Sequence, residues 1–291
     1  MEEGDEVAGP DTSQIYTPRS IGSMLERLKG NPGSLVFAGG TYIMTKHKSK
    51  YPGLAKNIIH ISDIEELTRI NRTERYIEIG ACASINSILN IGSNVLPEVL
   101  YHALRHIATP TIRNLATLGG NICAPDRRLS SFPVLVLLDT RIELRRAGAS
   151  RWIPINKFIG PEGNLTLQSG EVVTRIRIPL ASWNLQVYRR PTPRPITADN
   201  NISFCGLADI QKGLVSDIRF AIGSMGKSLI RYREIEAELV GKKLPLSPRT
   251  ATALIERFEQ NLERTSTAIL ERQRIMISRL LDWFFSLLDA G

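Results

Sequence analysis

The sequence predicts an α+β protein built in two parts. Three observations carry that reading: short strand-like runs alternate with segments of helical periodicity, the C-terminal stretch reads as successive helices, and residues 189–197 hold Pro191, Pro193 and Pro195. The proline cluster marks a hinge or interdomain connection. At 291 residues the chain can bury a substantial core, and length alone suggests two domains without excluding one.

The elements follow in order. Ser20 or Ser23 can cap a helix through Leu28, Gly30 and Pro32 break it, and residues 34–38 are strand-like. A second strand over 57–61 follows the Pro52-Gly53 turn. Residues 76–80 alternate, with Ile77 and Ile79 on one face, and a helix capped near Ser84 runs to about Ile91. From Pro97 to about Ala108 the spacing of Val99, Leu100, Ala103, Leu104 and Ile107 predicts a longer helix, which Thr109 and Pro110 end. His102 and His106 stand four apart on it without a third ligand nearby, so a structural role is expected.

Beyond Asn121 comes an irregular polar loop, then residues 134–138 as a buried helix or strand and 142–144 as an edge strand. Trp152 and Ile153 begin the next strand, and residues 171–179 alternate about Val172, Ile176 and Ile178. Residues 202–210 and 218–222 read as strands joined through Lys212-Gly213, opening a second α/β domain. Three helices close the chain: 231–239 ending at Gly241, Ser247-Pro248 to about Leu262, and 265–288 with a long apolar stripe.

Lys plus Arg is 37 against 29 for Asp plus Glu, a formal charge of +8 that favours anionic partners. The excess is spread over short clusters at 46–50, 127–128, 145–151 and 189–194, none interleaved with aromatics along the chain, so no nucleic acid is expected as partner. Cys82, Cys123 and Cys205 lie far apart without C-x-x-C spacing, which writes neither a zinc knot nor an iron–sulfur loop. With no signal peptide evident, a reducing, cytoplasmic setting is expected, and the apolar tail is too short for a membrane span.

Two glycine pairs stand out, in LVFAGGTYIMT (35–45) and TIRNLATLGGNI (111–122), each flanked by apolar residues with a threonine close by. Glycine permits positive φ and close backbone approach, so successive amides can converge on an anion. Each pair alone is most simply a turn. Neither matches G-x-G-x-x-G nor the lysine-containing phosphate loop, which disfavours a Rossmann-type NAD site.

In order, Ala38-Gly39-Gly40-Thr41, Ile77-x-Ile79-Gly80-Ala81, Ile112-Arg113-Asn114-x-Ala116-Thr117-x-Gly119-Gly120-Asn121-Ile122, Pro133-x-Leu135 with Leu138-Asp139, Ile222-Gly223-Ser224-Met225 and Leu239-x-Gly241 resemble the FAD-binding subunit of the molybdenum hydroxylases. That is the xanthine dehydrogenase and carbon monoxide dehydrogenase family. The resemblance implies a vanillyl-alcohol-oxidase-like fold: a flexible N-terminus at 1–14, an FAD-binding domain at 15–185 with subdomains of about 15–65 and 66–185, and a smaller C-terminal α/β domain at 186–291. It also implies that Ala38, Gly39, Gly40 and Thr41, with the amides of Tyr42 and Ile43, hold part of the FAD pyrophosphate. Gly119, Gly120 and Asn121 would hold another part, Thr117 and Ile122 would approach the adenosine or ribityl portion, and Thr109 and Arg113 would support them.

The chain departs from the family pattern where an Asp-Ser dipeptide is usual before Pro133: Ser130 stands in place of the aspartate, with Asp126, Arg127 and Arg128 in the loop before it. Three outcomes are open for the ribityl contact: Ser130 keeps a hydrogen bond, Asp126 supplies a carboxylate from another point, or binding is weaker. Tyr188-Arg189-Arg190 with Arg194 resembles a basic segment by the flavin edge. The resemblance further implies an electron-transfer component with no catalytic side chain of its own. Its partners would be a molybdopterin-binding large subunit and a [2Fe-2S] small subunit, with NAD or another compound as acceptor. A free-standing flavin oxidase and an FAD-free interaction subunit are the alternatives.

Overall fold

Three sheets, each with its own helices, account for the computed structural model, which describes residues 13–46, 55–124, 130–160, 163–191, 202–224, 229–265 and 271–289. The N-terminal tail over 1–12, the 47–54 segment, Pro125 to Leu129, most of the proline cluster including Arg194, and Met225 lie outside the described residues.

The first sheet is parallel, ordered β1-β3-β2, from β1 (Gln14–Tyr16), β2 (Leu35–Phe37) and β3 (Asn57–His60). Parallel neighbours need crossovers, and α1 (Ile21–Gly30) supplies one. Ser20 caps α1, its hydroxyl accepting from the Ser23 amide at 3.2 Å. Met24, Leu25 and Leu28 fall on one face and pack with Ile59, Ile64 and Leu67 into the first core. Between β2 and β3 lies the short helix α2 (Thr41–Lys46).

The second sheet is antiparallel, ordered β4-β5-β8-β6-β7: β4 (Ile70–Arg72), β5 (Tyr76–Gly80), β6 (Arg141–Arg146), β7 (Ala149–Pro154) and β8 (Val172–Pro179). One-turn helix α3 (Glu65–Thr68) leads into it. Ile77, Ile79, Ile142, Leu144, Ile176 and Ile178 alternate onto one face and enter the central core. Helices α4 (Ile85–Leu89), α5 (Glu98–Arg105), α7 (Leu118–Cys123) and α8 (Ser131–Leu137) supply most of the rest of that core, which Tyr188, Cys205, Leu207 and Ala221 also enter, whereas the short α6 (Pro110–Arg113) buries no residue.

The opposite face of this sheet is polar and closely bonded. Arg175 donates through Nη1 to Glu78 at 2.9 Å and through Nε to Glu143 at 2.8 Å, while Arg177 donates through Nη2 to Glu78 at 2.7 Å. Thr174 donates to Glu143 at 2.6 Å. Burial alone raises the Glu78 and Glu143 carboxyls, but the hydrogen bonds outweigh it and hold both below the usual carboxylate range.

The third sheet is antiparallel, ordered β11-β10-β9: β9 (Leu185–Arg189), β10 (Ile202–Gln211) and β11 (Leu214–Ser224). Helices α9 (Arg233–Leu239), α10 (Pro248–Thr265) and α11 (Glu271–Leu288) cover it. The core between them is aromatic: the Phe204 and Phe284 rings stand 5.3 Å apart, and Tyr232 meets Phe258 edge-on at 4.7 Å.

Several expectations are corrected. Residues 142–144 belong to β6, which lies between β8 and β7 and is not an edge; both Ile142 and Leu144 are fully buried. Residues 134–138 resolve as helix for all but Leu138, its C-cap. Trp152 and Ile153 close β7 instead of opening it. α5 stops at Arg105, with His106 as its C-cap, short of the expected Ala108, and Thr109 and Pro110 do not end it but start α6, Thr109 as cap and Pro110 at its first position. The strands β1, β4 and β9 and the helices α2 and α7 were not anticipated. His106 meets the His102 carbonyl at 2.8 Å through Nδ1, and His102 faces Glu98 at 3.5 Å.

Glutamates whose folded-state pKa is depressed stabilise the fold fully above their unfolded value of about 4.3, and that stabilisation is lost as pH falls through the folded pKa. The thermal unfolding midpoint is therefore expected to drop on acidification below about pH 4.3. Glu143→Gln should lower the midpoint at neutral pH and make its acid decline shallower, as calorimetry across a pH series will show.

Truncating Phe284, fully buried among Phe204, Phe220 and Phe285, should cost about 3–5 kcal/mol. Denaturant unfolding of Phe284→Ala followed by tryptophan emission checks it.

Candidate functional site

At the carboxyl end of β2 the chain turns through Ala38, Gly39 and Gly40 directly into α2, next to His60 at the end of β3. The carboxyl ends of parallel strands are where open α/β sheets form ligand crevices. Gly40 has φ +66°, in the left-handed region, and a Cβ there would stand 2.2 Å from the Phe37 ring. Gly39 is more constrained: a Cβ would fall 1.7 Å from the Leu115 carbonyl oxygen. The segments bearing the two glycine pairs thus touch, backbone against backbone.

Thr41, Tyr42 and Ile43 form the first turn of α2, where amides have no acceptor within the helix and point along its axis. The Gly40 carbonyl accepts from the Met44 amide at 3.0 Å, which places Gly40 at the cap position. Residues 35–43 are all half-buried. Beside them Met44, Ile112 and Leu115 are 52%, 43% and 61% exposed. Apolar side chains held open to solvent next to outward-pointing amides suit a ligand with both an anionic and an apolar portion.

The second glycine pair is built differently from expectation. Thr117 caps α7, its hydroxyl accepting from the Gly120 amide at 3.0 Å. The Gly119 amide donates to the Ala81 carbonyl at 3.0 Å, Leu118 to Ala83 at 3.2 Å and Asn121 to Thr117 at 2.9 Å. Gly119 is buried because its backbone presses on Ala81, where a Cβ would lie 2.6 Å from the carbonyl oxygen. Gly119 and Asn121 are therefore not an open amide nest, their N–H groups being bonded inside the protein. Gly120 alone of this pair is exposed.

The remaining predicted residues are held by contacts of their own. The Thr109 hydroxyl accepts from the Ile112 amide at 3.5 Å and caps α6. Arg113 donates through Nη1 to the carbonyls of Arg105, Ile107 and Ala108, each at 3.0 Å, tying α6 to the end of α5. Asn121 accepts from the buried Ser131 hydroxyl. Ile122 is fully buried in the central core, so its side chain faces away from any ligand.

Ser130 is also buried, accepting from Arg190 at 3.4 Å, while Arg190 reaches the His106 carbonyl at 3.3 Å. Arg189 turns the other way and stacks 4.0 Å over the Trp283 ring of α11. Asp126, Arg127, Arg128 and Arg194 lie outside the described residues.

Leu115, Ile112 and Met44 were missed as candidates. Leu115 occupies an unassigned position inside the second motif, and only its contact with Gly39 singles it out. Burial pushes the Cys82 thiol up to about 12 and keeps it protonated. Among the described residues no group of three or more His, Cys, Asp or Glu side chains is placed to hold a metal ion, and no helix is long and apolar enough to cross a membrane.

Residues 11–181 match the model of a family described as the FAD binding domain in molybdopterin dehydrogenase. The glyceraldehyde dehydrogenase medium chain of Sulfolobus acidocaldarius is 28% identical over 238 residues, covering 81% of this chain and 83% of that one. The xanthine dehydrogenase FAD-binding subunit of Escherichia coli O157:H7 is 26% identical over 269 residues, 88% of each. A chain of carbon monoxide dehydrogenase from Hydrogenophaga pseudoflava, solved in a form lacking the Mo-pyranopterin moiety of the molybdenum cofactor, has a TM-score of 0.79, 21% identity, and coverage of 94% of this chain and 96% of that chain. That likeness establishes a shared fold.

Tyr188, on β9 beside Arg190, is buried, and burial pushes its phenol up to about 12 against the opposing influence of Ser130, Arg190 and Ser203. Ultraviolet difference titration should show a tyrosine transition near 12 that Tyr188→Phe removes.

Proposed function

The chain belongs to the family of FAD-binding domains of molybdopterin dehydrogenases, and on that premise we propose that it is the flavoprotein subunit of a molybdenum hydroxylase-type complex, with NAD or another compound as electron acceptor. Its relatives are oxidoreductase components: a dehydrogenase medium chain and an FAD-binding subunit. The partners in this reading are a molybdopterin-binding large subunit and a [2Fe-2S] small subunit. Bound FAD supplies the redox centre through which electrons pass between a partner's clusters and the acceptor.

The residues present fit a diphosphate diester. The cradle at 38–43 has no room for a side chain at Gly39, a left-handed Gly40, and the first turn of α2 with its amides directed outward. In this reading Ala38, Gly39, Gly40 and Thr41, with the amides of Tyr42 and Ile43, bind the diphosphate. Gly120 and the Thr117 hydroxyl flank it from the second segment. Gly119 and Asn121 act by packing, and Thr109, Arg113 and Ser130 hold the surrounding loops. Leu115, Ile112 and Met44 present apolar surface to the rest of the cofactor. The parallel unit and the five-stranded unit then clasp one ligand in the vanillyl-alcohol-oxidase-like plan, with the 186–291 unit as the smaller third domain.

The single observation that supports this most is the contact of Gly39 with Leu115, because it brings both motif segments to one place. Gly39→Val must part them. The purified variant should retain less than about a tenth of the wild-type visible flavin absorbance while keeping the far-ultraviolet helical signal of α10 and α11. Undiminished flavin content in a folded variant would sink the cradle assignment.

For the acceptor, the substrate-reduced complex should reduce NAD at a rate comparable with turnover. Failure with NAD but success with an artificial dye would remove NAD from the reading and leave the subunit assignment standing.

A further inference from the structure

The outer face of the five-stranded sheet sets large aromatic rings among its charges. Antiparallel sheets that face water usually alternate core residues with small polar and mixed charged groups. Here Tyr76, Trp152, Arg141, Arg175 and Arg177 occupy neighbouring strands, brought together by register: Glu78 opposite Arg177, Arg177 opposite Arg141, and Glu143 opposite Trp152. Arg177 lies 4.2 Å over the Trp152 ring and 4.5 Å over Tyr76.

The two carboxylates form an under-layer. Glu143 and Glu78 side chains are 5% and 12% exposed, whereas those of Arg175 and Arg177 are 38% and 35% exposed and Arg141 is exposed. What an approaching molecule meets is therefore guanidinium and aromatic surface. Arginine, tryptophan and tyrosine are the residues over-represented at protein interface hot spots, and here they are already ordered by bonds to the glutamates.

We infer that this face is a docking surface for an acidic surface on a partner subunit of the complex. A guanidinium layer over buried carboxylates complements surface Asp and Glu. Single-stranded nucleic acid fits less well, since guanidinium already covers the ring faces on which bases would stack. The inference rests on the chain being one subunit of a larger assembly.

The test is co-expression with the molybdopterin-binding and iron–sulfur subunits, followed by size-exclusion chromatography and titration of the purified components at two salt concentrations. Arg141→Glu is the variant of choice, because the Arg141 side chain is exposed and, among the described residues, donates only to the Trp152 carbonyl, at 3.4 Å. It should weaken assembly about tenfold, with Arg141→Lys close to wild type, flavin content unchanged in both, and wild-type affinity falling with salt. Unaltered assembly of Arg141→Glu would overturn the surface and leave the proposed function intact. Failure of the wild-type chain to join those subunits would overturn both. Binding of a single-stranded oligonucleotide by the wild type that Arg141→Glu abolishes would overturn the assignment to a protein partner.

Discussion

At three places the structure closes by pressing one backbone onto another with no side chain between. A Cβ on Gly39 would strike the Leu115 carbonyl, one on Gly80 would come within 2.2 Å of the Leu67 carbonyl oxygen, and one on Gly119 would strike that of Ala81. Each contact joins a different pair of layers: the parallel unit to the α6–α7 segment, α3 to the five-stranded sheet, and α7 to the residue that follows β5. The candidate cradle is a product of these closures. Without the Gly39 contact, the outward amides of α2 and the exposed Leu115 and Ile112 side chains would not share a surface.

This arrangement explains why the glycine pairs were legible as important while their division of labour was not. A sequence displays that Gly39 and Gly119 lack side chains; it does not display what they press against, because Leu115 and Ala81 lie far off along the chain. Local signals translated well. The Ser20 cap, the alternation of 76–80 and 171–179, and the apolar spacing of 97–108 all depend on neighbours a few residues away. Strand order did not translate, so β6 read as an edge although β7 and β8 flank it. The arginine–aromatic interleaving was hidden for the same reason: Tyr76, Trp152 and Arg177 are interleaved across strands and are widely separated in sequence.

The third sheet is the joint between the two halves of the chain, all three of its strands placing residues in the central core. Adjacent arginines on and just after β9 face in opposite directions, Arg190 to Ser130 and the His106 carbonyl, Arg189 to Trp283 of α11. Tyr188 between the central core and the aromatic one adds a buried ring, 5.2 Å from that of His106. The strands β10 and β11 share this role: Cys205, Leu207 and Ala221 sit in the central core, and Arg219 donates to the Leu137 carbonyl at 2.9 Å.

The layering on the sheet's outer face has a consequence for how its charge behaves. Arginine stays protonated throughout the range proteins experience, and the glutamates beneath are held ionised to lower pH than usual by the same guanidinium groups. The face therefore carries a constant electrostatic signature from mild acid through neutrality. Any acid-sensitivity in what settles there must be written in the other molecule.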